Sequence, residues 1–522
     1  MKTGWWRVGL FVLILAAGLW FRVAQLDKRP MHHDEANQAV KFGRLLEEGR
    51  YQYDPADHHG PSLYYLTLPF AWLSGSRSLA GLNERIIRLV PAVFGAAALL
   101  LLLMLRPFVR FSSLLWAGGF FSFSPVMVYY SRFYIQETLL VFFILGFLAF
   151  LWRFITSPQM GAALLCGFFA GMMYATKETS VIAFAAAAAA AAGTAPAGNE
   201  FRKQRPVPAL KYWPAALGAG VLTAFIFFSS FFSHWRGPLD SILAFKSYFI
   251  KAGSPGLHSH PWNYYLDMLV HSRYGQGPAW TEAMILILGI IGGTAAWIKK
   301  SPDKEGRFFR FIALFTLIQT VVFSAVSYKT PWNMLPFYLG FLLLAGYGAV
   351  FLIRLMPRRP VKTALTAVLV MGGLHLAWQS RQANFIYPAD PRNPYVYAHT
   401  STDFLKLVDR IHDLSRVHPK GRDMLIMVTA DPSRTWPLPW YLRSYSRVGY
   451  WTDIRKTPLA AGPGVLVTAI EMNDYLPGNF EETHITEFYG LRPGVFLTLH
   501  VEKSLWNAFM KKRTPAGGRH LP

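Results

Sequence analysis

The segment "TLLVFFILGFLAFLWRFI" (138–155) contains one basic residue, no acidic residue and otherwise mainly apolar side chains. About 20 residues of this character, folded as a helix, cross the hydrocarbon core of a bilayer. The polar stretch "SRFYIQE" (131–137) precedes the segment, and "TSPQ" (156–159) follows it. This part of the chain therefore predicts a transmembrane helix with ionisable residues at one boundary.

Ten other segments of the chain have the same apolar character. Hydrophobic residues make up 53% of the 522 residues and charged residues only 16%, which is too apolar a composition for an ordinary soluble protein. We therefore predict an α-helical polytopic membrane protein with about 11 transmembrane helices. The predicted spans are 8–26, 86–105, 112–129, 138–155, 161–175, 179–197, 213–232, 280–298, 308–327, 335–355 and 362–379.

The basic residues predict the orientation of the chain in the membrane. The net charge is +23, but Lys and Arg cluster in short loops between apolar segments, which is typical of membrane topology and not of a nucleic-acid groove. Lys2 and Arg7 flank the first span, and we expect this span to be retained because it lacks a small-residue cleavage site. We predict a multi-pass protein of the plasma (inner) membrane with a cytoplasmic N-terminus and a C-terminal domain outside. The predicted inside loops are 106–110, 152–159, 199–211, 299–310 and 354–362.

The sequence predicts two domains and a tail. Residues 1–380 are expected to form the transmembrane domain, whose first outside loop is 27–85. Residues 381–510 are expected to form a small outside α/β domain. Residues 511–522 have the composition of a basic, disordered tail.

Three short patterns support the α/β assignment. Val- and Ile-rich runs at 423–430 and 464–470 predict strands, and the apolar spacing of 402–416 predicts a helix. Strands that alternate with helices favour a partly parallel sheet. Cys166 is the single cysteine and lies in an apolar run, which excludes an intrachain disulfide and a thiolate metal site.

The first outside loop begins with an acidic pair. Asp34 and Glu35 open the stretch "DEANQAVKFGRLLEEG" (34–49), whose small and apolar residues fall on one helical stripe. We expect an amphipathic helix lying on the membrane, with both carboxylates at its N-terminus, where the helix dipole favours them. Simple capping by Asp34 is the alternative to a chemical role. The later pair His58 and His59 could join these carboxylates as ligands of a divalent metal, against the alternative of ordinary surface hydrogen bonding.

Three outside turns bring further ionisable groups to the same level of the membrane. Arg132, Lys177 and Lys329 suit an anionic phosphate, because Arg can fork across two oxygens and Lys supplies a point charge. Glu137 and Glu178 stand beside them in the same turns. Snorkelling or a structural ion pair explains each charge singly, but their joint placement on one face favours a functional site.

The acidic pair and four later motifs occur in an order that resembles a known family. The motifs are "HGPSLYY" (59–65), "SRFYIQE" (131–137), "TKE" (176–178) and "YKTPWN" (328–333). They resemble GT-C glycosyltransferases of the dolichyl-phosphate-mannose protein mannosyltransferase and aminoarabinose-transferase type. The most similar subfamily includes the flippase-activity-associated protein of archaeal N-glycosylation. The resemblance covers residues 1–380 and implies a GT-C fold.

The resemblance implies a reaction and roles for individual residues. The donor is a polyprenyl-phosphate sugar, transfer inverts the anomeric carbon, Asp34 is the general base and Glu35 orients the acceptor. Arg132, Lys177 and Lys329 would contact the donor phosphate, with Glu137, Glu178 and Tyr64 in support. Aminoarabinose transferases carry acid-Lys-Pro where this chain has His59 and Gly60, so a divalent metal is possible, and without that Lys more of the phosphate contact falls to the three cations.

Three functions are compatible with these patterns. The first is transfer of a sugar from a polyprenyl-phosphate lipid to a hydroxyl of a protein, lipid or glycan acceptor. The second is a flippase, or an assistant to one, that moves the lipid-linked sugar without chemistry. The third is a membrane-anchored scaffold, which leaves the cluster of charges without a purpose. The chain has no G-x-x-x-x-G-K-[ST] loop, and we expect no nucleotide cofactor and no nucleic-acid partner.

Overall fold

A computed structural model describes residues 5–57, 59–194, 208–253, 258–298 and 302–513. The chain divides into two compact units. The membrane unit comprises Met1–Leu26, Arg44–Gly75 and Arg85–Tyr397. The α/β unit comprises Asp27–Gly43, Ser76–Glu84 and Ala398–Pro522, so it combines the beginning of the first loop with the C-terminal part of the chain.

The membrane unit is a bundle of apolar helices, as predicted. Among the described residues, seven helices are long and apolar enough to cross a bilayer. These are Trp5–Val23, Glu84–Leu105, Glu137–Thr156, Lys211–Phe228, Lys304–Ala325, Pro331–Leu355 and Arg359–Ile386. Four shorter apolar helices stand where the other predicted spans begin: Phe111–Phe123, Met160–Tyr174, Ser180–Gly193 and Ala283–Ile298.

Small residues allow neighbouring helices of this unit to approach closely. A Cβ atom on Gly167 would lie 2.0 Å from the carbonyl oxygen of Ala216, and one on Gly171 would lie 2.5 Å from that of Gly220. The helices Met160–Tyr174 and Pro208–Phe228 therefore pack backbone against backbone, as transmembrane helices with small interfacial residues do. The other α-helices of the described residues before residue 398 are His33–Glu48, Ser62–Leu73, Pro125–Tyr130, Gly237–Gly253 and Tyr264–Val270.

The α/β unit contains a five-stranded mixed sheet. Its strands are β1 (Ile426–Thr429), β2 (Val448–Trp451), β3 (Val465–Ala469), β4 (His484–Arg492) and β5 (Val495–Glu502). The strand order is β2-β1-β3-β5-β4, with β1 parallel to β2 and β3, and β5 antiparallel to β3 and β4. Every residue of β1 and β3 is buried, because both faces of the sheet are covered. The predicted partly parallel sheet is confirmed, whereas the hairpin of β4 and β5 was not predicted.

Two helices cover one face of this sheet. Asp403–Ser415 contributes Phe404 and Ile411 to the core, and Lys503–Arg513 contributes Phe509. The first helix lies where the spacing of 402–416 predicted it. The second one includes residues 511–513, which the sequence had assigned to a disordered tail, and residues 514–522 lie outside the described part of the chain.

The predicted amphipathic helix of the first loop is present as His33–Glu48, but its apolar stripe does not lie on a membrane surface. Ala36 and Ala39 are fully buried, and Gly43 packs against Leu79 of the same unit. The stripe therefore belongs to the interior of the protein. A stripe of small and apolar side chains is compatible both with a helix on the membrane surface and with a helix packed against protein. The pattern alone could not distinguish these two environments.

Candidate functional site

The predicted site residues are divided between the two units. Asp34 and Glu35 belong to the α/β unit. The remaining described candidates belong to the membrane unit: His59, Tyr64, Arg132, Glu137, Lys177, Glu178 and Lys329. His58 lies outside the described residues.

The acidic pair stands at the first turn of the helix His33–Glu48. Glu35 is fully buried, and its carboxylate accepts hydrogen bonds of 3.1 Å from the Arg29 guanidinium and of 3.1 Å from the backbone N–H of His32. In return, the ring Nδ1 of His32 accepts a bond of 3.0 Å from the backbone N–H of Asp34. His32 and Glu35 thus form a reciprocal cap of the capping-box type, with an imidazole in the place of the usual hydroxyl.

The Asp34 side chain differs from Glu35 in its exposure. It is 38% exposed, and its Oδ2 lies 3.8 Å from Nδ1 of His32. Since His32 and Glu35 supply the cap, the geometry offers an accessible carboxylate that rests on a fixed helix start. This is the placement that a general base acting on an external hydroxyl requires.

In the membrane unit, three segments meet at Lys177. Its ammonium forms an ion pair with Glu137 and donates a hydrogen bond of 3.1 Å to Oδ1 of Asn333. The side chain of Lys177 is 4% exposed and that of Glu137 is 3% exposed. The motifs "SRFYIQE", "TKE" and "YKTPWN" are therefore joined by one buried cation, and Asn333, which was not among the predicted site residues, is part of the contact.

Glu178, the residue after Lys177, connects to the first loop. Its carboxylate accepts a hydrogen bond of 3.1 Å from the hydroxyl of Tyr53 and pairs with Nδ1 of His59 at 2.8 Å. Burial and the neighbouring carboxylate of Glu178 raise the pKa of Tyr53, so its hydroxyl stays protonated and donates. Tyr64, from the same motif as His59, is fully buried with its ring against that of Tyr51.

Arg132 binds the C-terminal end of the first helix. Its guanidinium donates to the backbone carbonyls of Phe21 (2.9 Å), Ala24 (2.6 Å) and Gln25 (3.1 Å), and it stacks over the ring of Phe385. A cation at the C-terminal end of a helix satisfies carbonyls that have no intrahelical donor. In this geometry the Arg132 guanidinium is engaged with backbone carbonyls.

Lys329 is also engaged with the backbone. Its ammonium donates to the carbonyl oxygens of His260 (3.1 Å) and Val326, and its own N–H donates to the carbonyl of His258 (2.9 Å). The side chain is 1% exposed, and burial lowers its pKa. Lys329 therefore connects the "YKTPWN" motif to the loop around residue 260 by hydrogen bonds.

An apolar cavity of 1110 Å³ lies among helices of the membrane unit, and its lining includes Tyr174, three residues before Lys177 in the chain. Small side chains of the helices Met160–Tyr174, Ser180–Gly193 and Pro208–Phe228 line it. It extends along the third of these from Trp213 to Phe228, a distance of about 22 Å at the rise of an α-helix. At one end of the cavity the Phe228 ring contacts those of Tyr174 (5.5 Å) and Tyr53 (4.9 Å) between ring centroids. Phe228 therefore connects the cavity lining to the tyrosine that donates to Glu178.

Among the buried carboxylates that the sequence reasoning missed, Glu282 has the most hydrogen-bond partners in the described part of the chain. Glu282 is fully buried and accepts hydrogen bonds from Ser124 (2.6 Å), the N–H of Val126 (2.9 Å), Tyr338 (2.5 Å) and Tyr395 (2.8 Å). Its carboxylate therefore links the start of the helix Pro125–Tyr130, the helix Pro331–Leu355 and the segment that follows the helix Arg359–Ile386. The available signal was a single acidic residue directly before a long apolar run.

Of the two histidines proposed for a metal, the structure describes only His59. In the part of the chain that the structure describes, no group of three or more His, Cys, Asp or Glu side chains is placed to hold a metal ion. His59 is paired with Glu178, so an imidazole and a carboxylate meet at this point.

Comparisons with known proteins agree with the predicted resemblance. Residues 67–232 match the family of dolichyl-phosphate-mannose-protein mannosyltransferases. No curated protein matches the chain. The structure is similar to ArnT from Cupriavidus metallidurans bound to undecaprenyl phosphate, with 15% identity, a TM-score of 0.61, and coverage of 95% of this chain and 99% of that one.

Two further solved structures share the architecture. The oligosaccharyltransferase AglB from Archaeoglobus fulgidus, in complex with an inhibitory peptide and a dolichol-phosphate, has 12% identity and a TM-score of 0.54 over 98% of this chain and 77% of that one. The protein O-mannosyltransferase complex Pmt1–Pmt2 of S. cerevisiae, bound to the sugar donor, has 10% identity and a TM-score of 0.56 over 78% and 92%. At these identities the likeness establishes a shared GT-C fold in a multi-pass membrane protein.

Proposed function

We propose that this protein is a membrane glycosyltransferase that moves a sugar from a polyprenyl-phosphate donor to an acceptor hydroxyl on the outer face of the membrane. The observation that carries the proposal is the apolar cavity of 1110 Å³, whose lining residue Phe228 contacts the tyrosine that donates to the buried Glu178. A long apolar chain with a phosphate at one end has the matching distribution of polarity. The likeness to enzymes solved with undecaprenyl phosphate, dolichol-phosphate or a sugar donor supports the same class of ligand.

The cavity suits an isoprenoid chain in length and chemistry. Its extent of about 22 Å along one helix is most of the thickness of a hydrocarbon core. Its lining is apolar over nearly its whole length, with Tyr174 and Ser241 among the few polar residues, and these two face each other near its outer end. A lipid bound there would present its phosphate at the outer end, where Lys177 and Glu178 follow Tyr174 in the chain.

Lys177 is the cation that we assign to the donor phosphate. An ammonium group has three N–H donors, and two have partners among the described residues, Glu137 and Asn333. The third can bind a phosphate oxygen and stabilise the charge that develops as the sugar leaves. Lys329 and Arg132 bind backbone carbonyls, and we propose that these contacts hold the surrounding segments of the site in position.

Asp34 is the base in the proposed reaction. Its carboxylate takes the proton from the acceptor hydroxyl while the acceptor oxygen forms a bond to the anomeric carbon. The bond from that carbon to the phosphate oxygen breaks, and its electron pair leaves with the polyprenyl phosphate. Attack from the face opposite the leaving group inverts the anomeric centre. Glu35, through its bonds to Arg29 and His32, holds the helix start on which Asp34 stands.

The test of the proposed donor site uses a matched pair of variants in one helix. Ala188 lines the cavity, and Ala189, its exposed neighbour, does not. We expect Ala188→Trp to weaken binding of labelled polyprenyl phosphate at least tenfold, because the indole occupies the path of the chain, and Ala189→Trp to bind like the parent. Equal binding by both variants would contradict the placement of the lipid. The flippase alternative uses the same cavity, and the role of Asp34 separates the two.

A further inference from the structure

The sheet of the α/β unit has a switch point at the carboxyl ends of β1 and β3. These two strands are parallel neighbours in the order β2-β1-β3-β5-β4. The chain leaves β1 towards β2 on one side of the pair, and it leaves β3 towards β4 and β5 on the other side. Connections that diverge in this way leave a crevice outside the carboxyl ends of the two strands, and open α/β sheets bind ligands in such crevices.

Charged side chains from both connections meet at this edge of the sheet. Asp431 and Arg434 follow β1, and Glu471 follows β3. The guanidinium of Arg434 forms ion pairs with Asp431 (3.2 Å) and with Glu471. Arg434 therefore links the two connections, and its charge is offset by these two carboxylates.

Arg492, at the end of β4, is a second arginine at the same edge. Its Nη1 donates a hydrogen bond of 3.3 Å to the backbone carbonyl of Ser433, in the connection after β1. Among the residues that the structure describes, its Nε and Nη2 have no hydrogen-bond partner, and no carboxylate lies at ion-pair distance from its guanidinium. The N–H groups of Nε and Nη2 lie on one edge of the guanidinium plane, which binds the two oxygens of a phosphate or carboxylate as a fork.

The helix that carries Asp34 begins beside this edge, within the same unit. The ring centroids of His33 and Trp436 lie 6.1 Å apart, and the Trp436 ring is partly exposed. His33 also interacts with the backbone of Ser433 and with the charge of Arg492. Because Asp34 is the next residue after His33, the fork of Arg492 and the carboxylate of the proposed base belong to one region of the α/β unit.

We propose that the carboxyl edge of β1 and β3 is the acceptor subsite, and that Arg492 binds an anionic group which the acceptor carries close to its reacting hydroxyl. Arg492 then determines acceptor specificity, because an anionic acceptor is repelled by the Asp34 carboxylate unless a cation offsets the charge. The anionic group is a phosphate or a carboxylate, the two that a guanidinium fork fits. This inference rests on the proposed function, because it assigns the subsite to the acceptor on which Asp34 acts.

Binding of small anions to the full-length protein in detergent tests the subsite. The probes are glycerol 3-phosphate and glycerate, which place an anionic group near a hydroxyl, and glycerol is the uncharged control. In saturation-transfer NMR titrations the parent should bind one of the anions about tenfold more tightly than glycerol, and the tighter probe identifies the anionic group.

Variants of Arg492 assign the bound probe to this edge. Arg492→Gln retains an N–H for the Ser433 carbonyl and should weaken anion binding about tenfold, and Arg492→Lys, which keeps the charge but not the fork, should lie between this variant and the parent. Arg416→Gln is the matched control, because Arg416 is an exposed arginine of the same unit that is paired with Asp413. It should bind the anion like the parent.

Failure of the parent to bind either anion would overturn the inference, and so would equal binding by Arg492→Gln. Loss of the probe in Lys177→Met with Glu137→Leu, but not in Arg492→Gln, would place the anion at the donor site and overturn it as well. Arg492→Gln should still bind labelled polyprenyl phosphate like the parent. None of these measurements depends on turnover, so full transfer by Asp34→Asn would contradict the proposed function and leave anion binding by Arg492 standing.

Discussion

The buried pair of Lys177 and Glu137 provides a test that separates a structural role from phosphate binding. Both side chains are nearly inaccessible, at 4% and 3% exposure. Removing one partner of a buried ion pair leaves an uncompensated charge and costs about 3–5 kcal/mol. We therefore expect Lys177→Met and Glu137→Leu each to lower the free energy of unfolding by about this amount.

The double variant should recover most of the stability. Replacing both charges by apolar side chains of similar volume is often neutral, and the lost hydrogen bond from Lys177 to Asn333 costs about 1 kcal/mol. The double variant should thus lie within about 2 kcal/mol of the parent when unfolding is followed in mixed detergent and SDS.

Donor binding by the double variant should not recover. A charge-assisted hydrogen bond contributes about 1.5–3 kcal/mol, so loss of the Lys177 contact to phosphate should weaken binding of labelled polyprenyl phosphate roughly 10- to 150-fold. The ion pair of Arg110 and Glu305 is a control elsewhere in the membrane unit. Arg110→Met with Glu305→Leu should leave donor binding unchanged. A stable Lys177→Met, Glu137→Leu protein that binds the donor like the parent would refute the assignment of Lys177 to the phosphate.

Two further predictions concern stability. Burial, and to a lesser extent the charge of His484, lower the pKa of His500 to about 4, so as the pH falls this side chain takes up a proton later than it does in the unfolded chain. The free energy of unfolding of the α/β unit should therefore fall by up to about 3 kcal/mol between pH 6.5 and pH 4. Chemical denaturation of His500→Gln should show a weaker pH dependence. Glu282→Gln leaves buried donors without an acceptor and should lower the free energy of unfolding by about 2 kcal/mol, more than the roughly 1 kcal/mol of Tyr395→Phe, which removes a single donor. Equal losses in these two variants would show that Glu282 does not act as the common acceptor.

Local patterns predicted most of the fold. A run of some 20 apolar residues can be recognised without knowing what the helix packs against, because its length and composition match the bilayer core. Each predicted span therefore coincides with a helix. The central strands β1 and β3 were predicted for a similar reason, because burial on both faces gives a continuous apolar run. The strands β4 and β5 alternate polar and apolar residues around Pro493 and Gly494, and their pattern was weaker than that of the buried strands.

The contacts between distant segments were harder to predict. The sequence indicated that Lys177 and Glu137 belong to one face, but the ion pair, and the part of Asn333 in it, depend on helix packing. Arg132 was assigned to phosphate because its residue type suits that ligand, whereas in the structure its guanidinium binds the carbonyls at the end of the first helix. His32 lies two residues before Asp34, yet its part in capping the helix follows only from the position of its Nδ1 against the backbone N–H of Asp34.

The central claim is that Asp34 removes the proton of the acceptor while a polyprenyl-phosphate sugar occupies the membrane unit. The most direct test measures the transfer of radiolabelled sugar from a panel of polyprenyl-phosphate donors in membranes that contain the parent or Asp34→Asn. The account predicts label in an acceptor for the parent, and none for Asp34→Asn although that variant still binds the donor. Equal transfer by both proteins would contradict it, and so would labelled lipid that crosses the bilayer with the parent and is never consumed.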